Sequence, residues 1–326
     1  MLFRSLSASE ARALGELPEW NLTDLYPGID SVELMSDFAW AESEAKKFAA
    51  HYRGKLDSLL KGKQPSIALH EAIVRYEALE DRLGRILSYA GLVYSGDTTD
   101  PVRAKFYSDT QERAMTLSTE LLFFTLELNR LDDTLLDQAA AHAPLSHYTP
   151  WLKDIRLEKP YQLEDKLEQI FLEKSVTGAN AWNRLFDETM AALRFEFDDK
   201  ELTLEPILNK FQDPDESVRR RASDALTKTF RANLRTFSLI TNTLAKDKEI
   251  SDRWRNFTDI ADSRHLSNRV EREVVDALVD SVRRAYPRLS HRYYAMKAKW
   301  LGKEKLNHWD RNAPLPAEDT AAVAWE

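Results

Sequence analysis

Cysteine is absent from the 326 residues, so neither a disulfide nor a thiolate metal site can form, and a reducing compartment suits the chain. Glycine and proline are scarce, at 9 and 12 residues, which leaves little material for a loop-rich fold or a glycine-rich phosphate cradle. No apolar run approaches the ~20 residues that cross a bilayer. The N-terminal stretch, residues 1–20, carries charges where a secretory signal needs an apolar core, so the cytoplasm is the expected location. A positive excess is missing too. With 46 Lys and Arg against 54 Asp and Glu, the net charge is −8, which argues against nucleic acid or an anionic membrane as the main partner.

What is there is helical. The chain is 31% charged and 43% hydrophobic, and its apolar residues recur at steps of three and four. The longest such stripe runs over 268–302 through Val270, Val274, Leu278, Val282, Leu289, Tyr293, Met296 and Trp300. It predicts one long helix, started by Asn268 and Glu271, kinked at Pro287 and ended by Gly302. Earlier in the chain, Leu34, Phe38, Ala41, Ala45, Phe48 and Tyr52 predict a helix to about residue 60. A second, capped by Ser66, carries Ala68, Ile73, Tyr76, Leu79, Leu83 and Leu87; after a turn at 96–101 a third spans 102–141. Three antiparallel helices on short turns make a hairpin bundle, expected as one domain over 1–142, with a helical body over 143–326.

In that body, 143–159 reads as irregular, and helical period returns over 163–173 and around Trp182. The period then drops to two over 193–204, which predicts a β-hairpin whose turn, at Asp198-Asp199-Lys200, lacks glycine. Asp213-Pro214-Asp215-Glu216 supplies a cap, a first-turn proline and an acid for a helix with no breaker until about Arg255. A loop with room for one short turn follows over 256–267. A weak helical restart at Glu318 ends in the apolar group 321–325. The fold class is all-α with one small hairpin.

Reactive constellations are thin. A helical zinc-protease site needs two histidines at i and i+4 with a glutamate between them to activate water. His70-Glu71 begins that pattern, but position 74 is Val, and a surface or boundary histidine is the ordinary reading. His142 and His147 flank Pro144 and read as histidines packed against Tyr148 and Trp151; His51, His265, His291 and His308 are isolated in sequence. Nothing pairs Asp154 with Glu158, and no Gly-x-Ser-x-Gly occurs. Along His291-Arg292-Tyr293-Tyr294 the aromatics are expected in the core, with Lys297 and Lys299 solvated; Arg219 to Arg221 read as a solvated basic surface. These residues alone nominate no catalytic, substrate-binding or metal-ligating side chain.

Several longer blocks do resemble a known family. The run from Glu173 through Thr177, Gly178 and Trp182 to Glu188 (EKSVTGANAWNRLFDE) resembles a block of oligoendopeptidase F, a branch of the thimet-oligopeptidase-like zinc metallopeptidases. Pro18-Glu19-Trp20-Asn21-Leu22 with Leu25 and Tyr26, the run from Thr243 to Ile250, and the region from Arg264 to Pro316, with Leu289 to Tyr294 and Trp309 to Leu315 in it, continue the resemblance in order. It implies a mostly helical clamshell with a deep channel, zinc-dependent cleavage of short peptides, and zinc held by an HExxH helix that no residue here matches. The chain therefore reads as the N-terminal half of such an enzyme, shaping the channel. It is expected to be inactive and zinc-free alone, its missing partner is the catalytic half, and it is open to self-association through the face that half would cover. The alternative is a free-standing helical interaction module, and the reading frame beyond Glu326 separates the two.

Overall fold

Short polar and special-backbone residues set the helix ends in the computed structural model, which describes residues 20–316. Ser31 accepts from the Leu34 amide to open α1 (Val32–Tyr52), and Gly54, at φ +74°, separates it from α2 (Leu56–Leu60). Pro65 and Pro101 occupy first turns in α3 (Pro65–Gly96) and α4 (Pro101–Leu121), where a missing amide costs no helical bond. There follow α5 (Phe123–Arg130), α6 (Asp133–Ala140), α7 (Thr149–Arg156), α8 (Asp165–Ser175) and α9 (Ala179–Ala192). Then come strands β1 (Phe195–Phe197) and β2 (Lys200–Leu202), paired antiparallel. The chain continues through α10 (Leu204–Asn209), α11 (Glu216–Ala232), α12 (Leu234–Trp254), α13 (Asp262–Ser267), α14 (Arg272–Ala285) and α15 (Ser290–Trp300). Among the described residues the fold is all-α apart from this hairpin, as the periodicity predicts.

The chain divides into two compact units. One holds Trp20–Trp182 with Leu244–Arg269; the other holds Asn183–Thr243 with residues from Val270 onward. The boundary expected at 142/143 lies inside the first.

In the first unit, α1, α3 and α4 bury a continuous core in which Phe48 meets Phe124 edge-on, with ring centroids 5.0 Å apart. A smaller cluster of Tyr26, Leu34, Phe38, Ile86 and Tyr89 fastens the segment preceding α1, with the Tyr26 hydroxyl donating to Asp37 at 2.7 Å. Arg156 closes the end of α5 by donating to the carbonyls of Leu128, Asn129 and Leu131. In the second unit, Phe195, Phe197 and Leu202 turn inward from the hairpin onto Ile207, Ala222 and Ala225.

Several sequence expectations are corrected. The 268–302 helix is two helices: Pro287 cannot donate to the carbonyl one turn back, and the chain turns over residues 286–289 before restarting at Ser290. Its start is Glu271, with Arg269 at φ +52°, rather than Asn268. Ser66 is no cap. Its hydroxyl donates to the His142 carbonyl at 2.8 Å, tying α3 to the segment after α6. The third helix is interrupted at Leu122 and again before Asp132, which caps α6 through the Leu135 amide. Residues 145–156 are a 3₁₀ turn and a helix, and 262–267 are helical. Asp215, not Asp213, caps α11, and Asn233 parts α11 from α12. The restart at Glu318 lies outside the described residues.

Candidate functional site

Two sequence blocks singled out above, 213–216 and 309–315, meet in the second unit. Asp310 is fully buried and accepts from Arg219 Nη2 at 2.9 Å, from Lys303 Nζ at 2.6 Å and from the Asn307 amide at 2.9 Å. Arg219 also donates to the carbonyls of Asp213 and Pro214, and Lys303 reaches on to Glu216, which accepts from Trp309 Nε1 at 3.2 Å. Two cations thus face two carboxylates. Burial works to raise the Asp310 carboxyl, but the hydrogen bonds from Arg219, Lys303 and Asn307 hold it below its ordinary range. The Lys303 and Trp309 hydrogen bonds lower Glu216 likewise. Beside them the Ser223 hydroxyl and His308 Nε2 lie 2.5 Å apart. The cluster clamps the irregular segment after α15 onto α11.

This overturns two readings. Arg219 is buried rather than solvated, while Arg221 alone of that run pairs outward, with Asp198. In α15 the roles are exchanged: Lys297 is buried and donates to the Arg311 carbonyl at 2.9 Å, whereas Tyr293, Tyr294, Met296 and Trp300 are exposed. Their exposure continues that of α14, none of whose residues is buried. Val274, Leu278, Val282, Tyr286 and Leu289 are between 43% and 63% exposed. A set of that size on one helix face belongs against something.

In the first unit, α8 and the last turns of α12 border a cleft of about 490 Å³ lined by Leu122, Phe171, Ile250, Lys174 and Asp247 among others. Arg255 closes one wall by bidentate donation to Glu168, both bonds at 2.7 Å. Burial pushes the Glu168 carboxyl up, but the Arg255 pair and the Leu163 amide bring it below its ordinary value.

Several of the histidines lie against aromatic rings. His70 and His147 stand against the Tyr148 ring, at centroid distances of 5.7 and 5.0 Å; His51 stacks edgewise on Tyr52 and His291 lies near Tyr286. Asp154 and Glu158 both approach Arg269, at 3.9 and 2.9 Å, as an ion pair network. Among the described residues no three His, Asp or Glu gather where a metal could be held, so the residues present do not fit the zinc that the resemblance implies. The arrangement can grip and position, and a hydroxyl–imidazole contact, that of Ser223 with His308, lies beside the Asp310 cluster.

A family model described as Oligopeptidase F matches residues 127–195. Oligopeptidase PepF of Bacillus subtilis is 24% identical to this chain, over 99% of this chain and 49% of the relative. Group B oligopeptidase PepB of Streptococcus agalactiae is 23% identical, over 92% and 50%. Among solved structures, oligoendopeptidase-F from Enterococcus faecium superposes with a TM-score of 0.76 at 22% identity, covering 86% of this chain and 56% of that one. A putative oligoendopeptidase F from Bacillus anthracis gives 0.63 at 16%, covering 89% and 48%. The chain spans about half the length of the curated relatives it matches. On family model and relatives together the resemblance holds: this chain is similar to oligoendopeptidase F over about half the length of such proteins, and it shares their mostly helical fold.

Proposed function

We propose that this chain is the N-terminal half of a cytoplasmic, zinc-dependent oligoendopeptidase that hydrolyses short peptides, and that it shapes the channel through which they enter. One observation supports this most: the chain matches proteins named as oligopeptidases nearly end to end, yet along only half of their length. In this reading the metal and the groups that activate water lie in the other half. The cleft beside α8 and α12 is a candidate stretch of channel wall, because its volume suits a few residues of extended peptide and its lining mixes apolar side chains with Lys174 and Asp247. A narrow groove also excludes folded proteins by size.

The test is cleavage of internally quenched peptides of five to about twenty residues by the gene product and by the 326-residue chain. Chelator-sensitive cleavage by the longer protein, with none by the shorter, is expected. A gene product that ends at Glu326 and cuts nothing would leave a free-standing helical interaction module as the reading. Phe171→Ala in the longer protein is expected to raise KM more than it lowers kcat, as loss of a wall contact should.

A further inference from the structure

Helix α14 has the pattern of a core helix and the environment of a surface one. At ~100° per residue, Val274, Val275, Leu278, Val279, Val282 and Tyr286 fall in an arc of roughly 140°, while Glu273, Asp276 and Asp280 fall on the far side. Yet none of its residues is buried among the described residues. Leu289 in the following turn, and Tyr293, Met296 and Trp300 in α15, are exposed as well. Exposed apolar surface of this extent is unfavourable in water by about 25 cal/mol for each Å² that a partner could have covered. Arg283 borders the arc, and Arg288 and Arg292 follow it. All three are exposed, and none pairs with an acid among the described residues.

We infer that this face is the seat of the half of the protein that this chain does not contain, which meets it with an apolar surface rimmed by carboxylates; this rests on reading the chain as half of a longer enzyme. The occupant follows from proportion. Relatives at 21–24% identity match 92–99% of this chain with 49–50% of themselves, so each has as much chain again with no counterpart here. The same share recurs in the solved structures, at 48–56%. A half of that length is large enough to cover two helices, and the unpaired guanidiniums give its rim a sign.

A photoreactive residue at the face decides it. Leu278→p-benzoylphenylalanine is placed in the native gene, with Val282→p-benzoylphenylalanine as the second variant should the first fold poorly. The irradiated product is mapped by mass spectrometry, and peptide cleavage is read on the same sample before irradiation. The expected result is a crosslink from position 278 or 282 to a residue beyond Glu326 of the same polypeptide. Amide exchange over α14 should also be at least about tenfold slower in that protein than in the 326-residue chain. Crosslinks confined to residues 1–326, whether of the same molecule or a second copy, overturn the inference. So does a native product that stops at Glu326, or an α14 that exchanges equally fast in both. Cleavage without the crosslink sinks the docking face and spares the peptidase reading; the crosslink without cleavage does the reverse.

Discussion

Arg219 and Asp310 meet across 91 residues of chain, with Nη2 donating to Oδ1 at 2.9 Å and neither side chain reaching solvent. The pair is what makes an irregular segment behave as part of the second unit. After Gly302 no helix holds the chain until the short 308–310 turn, and that turn is fixed because its last residue is gripped by α11 and by Lys303. A buried pair of this kind adds little over a well-packed apolar substitute, but it is intolerant of losing one partner.

Asp310→Asn is therefore expected to lower the free energy of unfolding by about 3–5 kcal/mol, because Arg219 and Lys303 keep their charge without a full counter-charge. Urea titration should show an earlier midpoint at an unchanged slope. Combining Asp310→Ala with Arg219→Met should cost less than the two single losses added together. Additive losses would mean that the two side chains are not energetically coupled.

Acid should loosen both units. The folded forms hold Asp310 and Glu168 below their ordinary values of 3.8 and 4.5. A carboxyl with a depressed folded pKa contributes stability that is fully present above its unfolded value and is lost as pH falls through the folded one. The urea midpoint should thus be flat in these contributions above about pH 5 and fall below pH 4. In Glu168→Gln the part of that fall due to Glu168 should vanish, leaving a lower and flatter curve. A wild-type midpoint that rises on acidification through this window would contradict the assignment.

How much of this the sequence discloses depends on the range of the interaction. Helix period, the turn at 96–101 and the period-two hairpin are local, and each is found close to where the pattern puts it. Breaks are misjudged where apolar spacing carries on past them: the helix expected to reach about residue 60 stops at Tyr52, before Gly54, and Pro287 ends a helix where the pattern predicts only a kink. Arg219 and Lys297 look like surface cations, since the acid and the carbonyl that justify their burial lie 91 and 14 residues away. Nothing local marks them. The one-sided apolar stripe of α14 is legible from its spacing, whereas its exposure is not, because period alone does not say what lies against a face.

Two glycines should respond to alanine with opposite signs. Gly302, at φ +67°, ends α15 in a Schellman arrangement: its amide bonds to the Lys299 carbonyl, and the Lys303 amide to the Ala298 carbonyl at 2.8 Å. An added Cβ meets nothing within 4 Å there, so the cost of Gly302→Ala is conformational and about 1 kcal/mol. Gly84 lies inside α3, likewise with open space for a Cβ. Gly84→Ala should stabilise by about 0.5–1 kcal/mol. Thermal melts of the pair against wild type check both; a shared sign would be inconsistent with the backbone geometry.

The hairpin offers a finer test, because its turn has the right shape and the wrong residues. Phe197 pairs with Lys200, so the loop is Asp198-Asp199, and both sit in the left-handed region at φ +46° and +59°. Such a two-residue turn matches the strands' twist but prefers glycine at its second position. Asp199 is exposed, and Asp199→Gly should relieve the left-handed strain and stabilise by about 0.5–1 kcal/mol net of added freedom in the unfolded chain. Asp198→Gly relieves the same kind of strain but removes the carboxylate that pairs with Arg221 at 3.1 Å. An exposed pair contributes only about 0–1 kcal/mol, so that change should be close to neutral. Urea midpoints that rank Asp199→Gly above wild type, with Asp198→Gly near it, are expected. The reverse ranking would show that the ion pair, and not the backbone, holds this turn.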